Sequence, residues 1–150
     1  MALHFSKDEF QKRRLNVLKS MKEQKLDALL MFRQESMFWL TGYDTFGYVF
    51  FQTLVLDQKG NTILLTRAPD LRQAQNTSNI EDIRIWVDKD KSNPTDDLKK
   101  ILIELNLKGK KIGVEYEAYG MTGRNALRLN KSLENYCEVE DQSELITKHR

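Results

Sequence analysis

The chain has 150 residues, of which 40% are hydrophobic and 31% charged, with 24 basic and 22 acidic side chains giving a net charge of +2. That is the size and apolar content of one domain able to fold without a metal or a disulfide. Charge so evenly mixed predicts neither a nucleic-acid nor a membrane partner. Cys137, the single cysteine, has no partner for an intramolecular bridge, and neither a secretory-type start nor a stretch of ~18 apolar residues is present, so a cytoplasmic protein is expected.

Ser6 followed by Glu9 is a capping-box pattern, and Phe10, Arg14, Leu15, Leu18 and Met21 recur at helical spacing as far as Gln24. Leu26 to Phe32 is a short apolar run without helical period, which predicts a buried strand. A helical patch over Ser36 to Leu40 stops at Gly42, a residue suited to the left-handed position that ends a helix. Tyr48 to Leu56 and Asn61 to Thr66 are β-favouring runs joined by Asp57, Gln58, Lys59 and Gly60, which predicts a hairpin.

Pro69 and Asp70 open a second short helix through Gln75, and a strand over Ile83 to Val87 follows. Asn93 and Pro94 supply a cap and a first-turn proline for a helix with its stripe at Leu98, Ile101, Leu102 and Leu105. Lys111 to Glu115 is the fifth strand, Thr122 caps a helix through Leu133, and Tyr136 to Val139 is the sixth. Strands alternating with helices, interrupted by one hairpin, predict an α/β fold of three layers: a mixed sheet of about six strands with flanking helices. Ser143 begins another helical pattern, SELITKHR.

Residue chemistry of the catalytic kind is sparse. His4 and His149 stand near opposite ends and form no ligand-spaced motif. Cys137 has no CxxC partner and reads as a small buried hydrophobe. Neither GxGxxG nor GxxxxGK[ST] occurs, and Gly120-Met-Thr-Gly123 reads as a loop with Thr122 as cap. Asp57, Asp88 and Glu115 fall at or just past strand ends, where acidic residues on neighbouring strands can hold two divalent ions for phosphodiester cleavage. Aromatics crowd into Phe38-Trp39-Leu40-Thr41-Gly42-Tyr43-Asp44-Thr45-Phe46-Gly47-Tyr48. Phe38, Trp39 and Tyr43 suit the core, whereas Phe46 and Tyr48 flank a glycine in a loop and suit either the core or the lining of a pocket or interface.

The long first helix with paired arginines leading to LDALLMF resembles the opening of the creatinase/prolidase/aminopeptidase P family. The Phe38-Trp39-Leu40-Thr41-Gly42-Tyr43 segment, Ile112-Gly113-Val114-Glu115 and the closing Glu144-Leu145-Ile146 resemble that family in the same order. The resemblance implies a ribonuclease H-like topology for this N-terminal domain, spanning residues 1–142, with 143–150 as the start of a linker to a pita-bread catalytic domain. In that second domain the family binds two metal ions, such as manganese, cobalt or zinc, or none in its creatinase branch, around two Asp, one His and two Glu. The domain seen here is then non-catalytic and cofactor-free. It is implied to serve a Xaa-Pro dipeptidase or aminopeptidase-like metallohydrolase acting on small peptides or amides, by supporting a homodimer and part of the active-site wall.

Residues matching the family's substrate-binding aromatic-Gly-Arg stretch are Phe46, Gly47 and Tyr48. They are expected to reach substrate in the partner subunit, with Tyr48 standing in place of the arginine. Two other readings remain: a free-standing binding or dimerisation module, and a metal-dependent nuclease using Asp57, Asp88 and Glu115.

Overall fold

In the computed structural model, residues 3–150 are described; the first two residues of the expected domain, 1–2, lie outside them. The elements in order are α1 (Lys7–Glu23), β1 (Ala28–Met31), α2 (Gln34–Thr41), β2 (Thr53–Asp57), β3 (Thr62–Arg67), α3 (Leu71–Thr77), β4 (Asp82–Trp86), α4 (Pro94–Glu104), β5 (Lys111–Val114), α5 (Gly123–Leu133) and β6 (Glu138–Asp141). Ser6, Asn93 and Thr122 cap α1, α4 and α5 through their side-chain oxygens, as their positions in sequence suggested. Gly42 ends α2 with φ 85°, the left-handed conformation that glycine adopts without strain.

The strands form one sheet in the order β4-β3-β2-β1-β5-β6. β1 pairs antiparallel with β2 and parallel with β5, and β2 also runs against β3. β3–β4 and β5–β6 are parallel, so β2 alone points the other way, the mixed ribonuclease H-like arrangement expected. Because side chains alternate across a strand, β1 feeds both layers. Ala28 and Leu30 join Val55, Leu65, Leu98, Ile101, Leu102, Leu129 and Leu133 beneath α4 and α5. Leu29 and Met31 join Val17, Met21, Met37, Leu40, Leu54 and Leu64 beneath α1, α2 and α3. The run LDALLMF has no period because both of its faces are buried.

Most boundaries shift by a residue or two from the sequence expectation, and three of the differences have a visible cause. The run from Tyr48 becomes a strand only at Thr53, because Gly47–Val49 forms a 3₁₀ turn that carries Phe46 and Tyr48 outside the sheet. The sixth strand begins at Glu138 rather than Tyr136, since Asn135 adopts φ 58° and turns the chain first. The pattern from Ser143 forms turns and a short 3₁₀ helix at Thr147–His149 instead of an α-helix. Leu145 and Ile146 within it are 2% and 0% exposed and pack in the core beside Val17 and Met21, so much of 143–150 lies on the domain. No helix among the described residues is long and apolar enough to cross a membrane.

Leu30 is wholly buried at the centre of the sheet. Leu30→Ala is expected to lower unfolding free energy by ~2–5 kcal/mol, the range for a leucine cavity. Urea denaturation monitored by tryptophan fluorescence measures it, and a loss below ~1 kcal/mol would move β1 out of the core's centre.

Candidate functional site

The parallel strands β1, β3, β4, β5 and β6 all end at one edge of the sheet, and the candidate surface lies there. β1 and β5 are neighbours whose following helices go to opposite faces, α2 over one layer and α5 over the other. Such a switch point leaves a crevice at the carboxyl ends of the two strands. Here it is a cleft of about 670 Å³ lined by Phe32, Arg33, Gln34 and Glu35 after β1, Tyr116, Glu117, Ala118 and Tyr119 after β5, and Tyr48 from the 3₁₀ turn.

The floor of this edge is fixed by Glu115, which is 0% exposed. Its Oε1 accepts hydrogen bonds from the backbone N–H of Phe32 and Arg33 at 3.0 and 3.1 Å, and its Oε2 accepts from the Ser36 hydroxyl at 2.6 Å. One side chain thereby satisfies donors at the entrance to α2, which its own N-cap residue Arg33 leaves uncapped. Burial pushes the Glu115 carboxyl up to about 7; the Ser36 hydroxyl, the two N–H donors and the nearby Arg33 charge pull the other way.

The loop of Phe46 and Tyr48 is held from below by a polar cluster. Thr45 donates its hydroxyl to Asp70 Oδ1 at 2.7 Å, while the Gly47 N–H donates to Thr45 Oγ1 at 2.9 Å. Asp70 presses so closely on Gly47 that a Cβ there would lie 2.5 Å from Oδ1 and 2.6 Å from Oδ2. Arg67, 3.5 Å from Asp70 Oδ2, stacks its guanidinium 3.4 Å from the Phe50 ring centre. From the other side, Gly120 comes within contact of the Phe50 carbonyl, so the 3₁₀ turn and the Tyr116–Met121 loop abut. Within this frame Phe46 is 92% exposed and Tyr48 is 42% exposed, with its ring edge-on to Tyr119 at 5.7 Å. Neither is a core residue.

The other candidates separate. Glu115 and Asp88 lie at the carboxyl edge, but Asp57 ends the antiparallel strand β2 opposite Ala28, at the far end of the sheet. Asp57 there accepts from Lys59 N, Asn61 N and Asn61 Nδ2, closing the hairpin, and Asp88 pairs with Arg67 at 3.8 Å. The nuclease reading is therefore corrected: its three carboxylates do not meet, because an antiparallel strand carries its last residue away from its neighbours' ends. Among the described residues no three His, Cys, Asp or Glu side chains are grouped to hold a metal. Cys137 is half-buried against the α4–α5 layer, and burial raises its thiol. His149 stacks on Trp39 and bonds Ser20 at 2.8 Å.

Sequence reasoning missed Arg33, Tyr116 and Tyr119 as parts of the edge. Their signal was position alone: each stands within five residues of the end of a strand that reads as buried and parallel.

The described residues thus form an α/β domain with one reversed strand and a cleft at its switch point. The chain belongs to the creatinase/prolidase N-terminal domain family, whose pattern matches residues 13–150. It is 31% identical over 140 residues to an uncharacterised hydrolase/peptidase of Sinorhizobium fredii, covering 89% of this chain and 36% of that protein. A dipeptidase from Pyrococcus horikoshii shares the fold with a TM-score of 0.72 at 21% identity, over 92% of this chain and 36% of that one. A Streptococcus pyogenes structure described as a Xaa-Pro aminopeptidase gives a TM-score of 0.74 at 16% identity, over 97% of this chain and 100% of that chain. The chain thus spans about a third of the length of the S. fredii and P. horikoshii proteins.

Two substitutions test the frame. A Glu whose carboxyl rises from 4.5 to about 7 on folding favours the folded state fully below pH 4.5, and loses that contribution as pH rises through 7. Glu115→Gln removes this dependence, so its stability relative to the unsubstituted protein is expected to improve from pH 5 to 7 and to level off by pH 8 in urea titrations. A constant difference across that range would mean that the three donors hold the carboxylate ionised throughout. Gly47→Ala is expected to cost ~1–3 kcal/mol by overpacking against Asp70. Asp70→Ala added to it should recover part of that loss in a double-mutant cycle, whereas purely additive losses would separate the two residues.

Proposed function

We propose that this chain is the non-catalytic N-terminal domain of a Xaa-Pro dipeptidase or aminopeptidase-like metallohydrolase, and that it supports a dimer and supplies part of the active-site wall. The observation that carries this reading is Phe46: a large aromatic 92% exposed on a loop that Asp70, Thr45 and Arg67 hold in one conformation. Exposing an apolar ring while immobilising its backbone favours a surface that meets something. Family membership and coverage of only 36% of the S. fredii relative favour a following catalytic domain as that something. Phe46 and Tyr48 are read as substrate-side residues acting on the partner subunit's centre. A divalent metal, with its Asp, His and Glu ligands, belongs to that other domain and to none of the steps this chain performs. Tyr48 offers a hydroxyl donor and a ring in place of a cation, which suits an apolar or hydrogen-bonding group better than a carboxylate.

The intact mass of the native product, captured from its source cells, comes first: about twice 17.6 kDa or more is expected, because a second domain of ordinary size then follows. In that product, Phe46→Ala and Tyr48→Ala should each lower kcat/KM on Xaa-Pro dipeptides by roughly tenfold with unchanged thermal midpoints. Unchanged kcat/KM in both would remove the loop from the active-site wall. A native product ending at 17.6 kDa would favour a stand-alone binding module instead.

A further inference from the structure

The switch-point cleft has a chemical preference of its own. Its one lining cation, Arg33, is tied down by three hydrogen bonds and two ion-pair contacts. Nε donates to the Glu117 carbonyl at 2.6 Å, and Nη1 donates to the Ser143 carbonyl and Thr147 Oγ1 at 3.1 and 2.9 Å. Nη2 lies 3.2 Å from Glu117 Oε2 and 3.9 Å from Glu144 Oε1. Three of the five guanidinium donors are thus spent, and the Glu117 and Glu144 carboxylates stand beside the remaining nitrogen, where they oppose an incoming anion.

The acceptors, in contrast, are in surplus. Glu35, in the first turn of α2, takes part in no ion pair among the described residues, and Gln34 has a buried Oε1 with no donor. The Gln34 amide cannot simply turn over, because its Nε2 already donates to the Tyr43 carbonyl at 3.4 Å. Above them stand Tyr48 and Tyr119, two rings inclined at 73° with Tyr119 78% exposed, the arrangement of an open aromatic corner. Unspent acceptors beside aromatic faces attract a positive charge and its N–H donors. A volume of about 670 Å³ falls in the range of small-ligand sites.

We propose that the β1/β5 cleft is a binding site for an organic ammonium carried on an apolar body, as in the free amino terminus of a small peptide. The choice of a peptide rests on the peptidase reading above; the preference for a cation rests on the lining alone. Glu35 takes the ammonium protons, and Tyr48 and Tyr119 cover the adjoining apolar group. Arg33, locked by its own contacts, forms a wall without contributing a competing anion site.

The test is an NMR titration of the ¹⁵N-labelled 150-residue chain with phenylalaninamide and, in parallel, N-acetylphenylalaninamide, which keeps the ring and loses the charge. Saturable shifts confined to the amides of residues 33–35, 48 and 116–119 are expected with the amine, and binding about tenfold weaker with the acetylated compound. Glu35→Gln and Tyr119→Ala should each weaken amine binding several-fold while leaving core resonances such as those of Val55 and Leu129 in place. Equal binding of the two compounds, shifts elsewhere, or no saturable shift would overturn the proposal. Phe46 does not line the cleft, so the kinetics of Phe46→Ala judge the active-site-wall reading separately from this titration.

Discussion

The arrangement of the carboxyl edge depends on one buried carboxylate. Glu115 ends β5 and binds the two N–H groups that open α2 together with the hydroxyl of Ser36. Without it the helix entrance would be buried with orphan donors, at a desolvation cost of about 1–3 kcal/mol for each group left unmade. With it, β1, β5 and α2 meet at a fixed angle and the cleft between them has fixed walls. The same backbone stretch starts the Arg33 side chain, which ties the Glu117 loop to Ser143 and Thr147. Edge, loop and closing segment are therefore parts of one hydrogen-bonded unit.

A similar economy operates at the other end of α2. Arg13 reaches from α1 to the Trp39 carbonyl at 2.8 Å and lies 5.1 Å from the Trp39 ring centre, while pairing with Glu9 one turn earlier. Trp39 in turn stacks on His149. Arg13, one of the paired arginines, and His149, which the sequence leaves without a motif, are pins between α1, α2 and the final turn. The paired arginines divide this work unequally, since Arg14 makes no comparable contact and keeps a buried Nε without a partner.

Most of the fold was legible because hydrophobic period and capping chemistry act locally. Ser6, Asn93 and Thr122 announced helix starts, Gly42 a helix end, and LDALLMF a strand buried on both faces. The misread boundaries are places where local preference meets a distant contact. Tyr48, Val49 and Phe50 favour strand, yet the close seat of Gly47 on Asp70 and of Gly120 on Phe50 bends them away from the sheet. Leu145 and Ile146 carry a helical spacing, but the core beside Val17 and Met21 captures them in turns. The site was less legible still. Phe46 and Tyr48 stood out by composition, whereas Arg33, Gln34 and Tyr119 matter only because strands far apart in sequence end side by side.

That long-range junction also shapes how the molecule assembles. β1 has one neighbour, β2, supplied by the next few dozen residues, and another, β5, whose closing residue Glu115 is 83 positions beyond Phe32. Loop-closure entropy makes contacts of the second kind late and slow to form. The β1–β2–β3 half of the sheet can therefore gather early, with one flank of β1 still open. During that interval the strand presents unpaired backbone groups on a run of apolar side chains, the kind of edge on which chains stick to one another. The cleft that closes last is thus also the seam whose closure protects the nascent protein from aggregation.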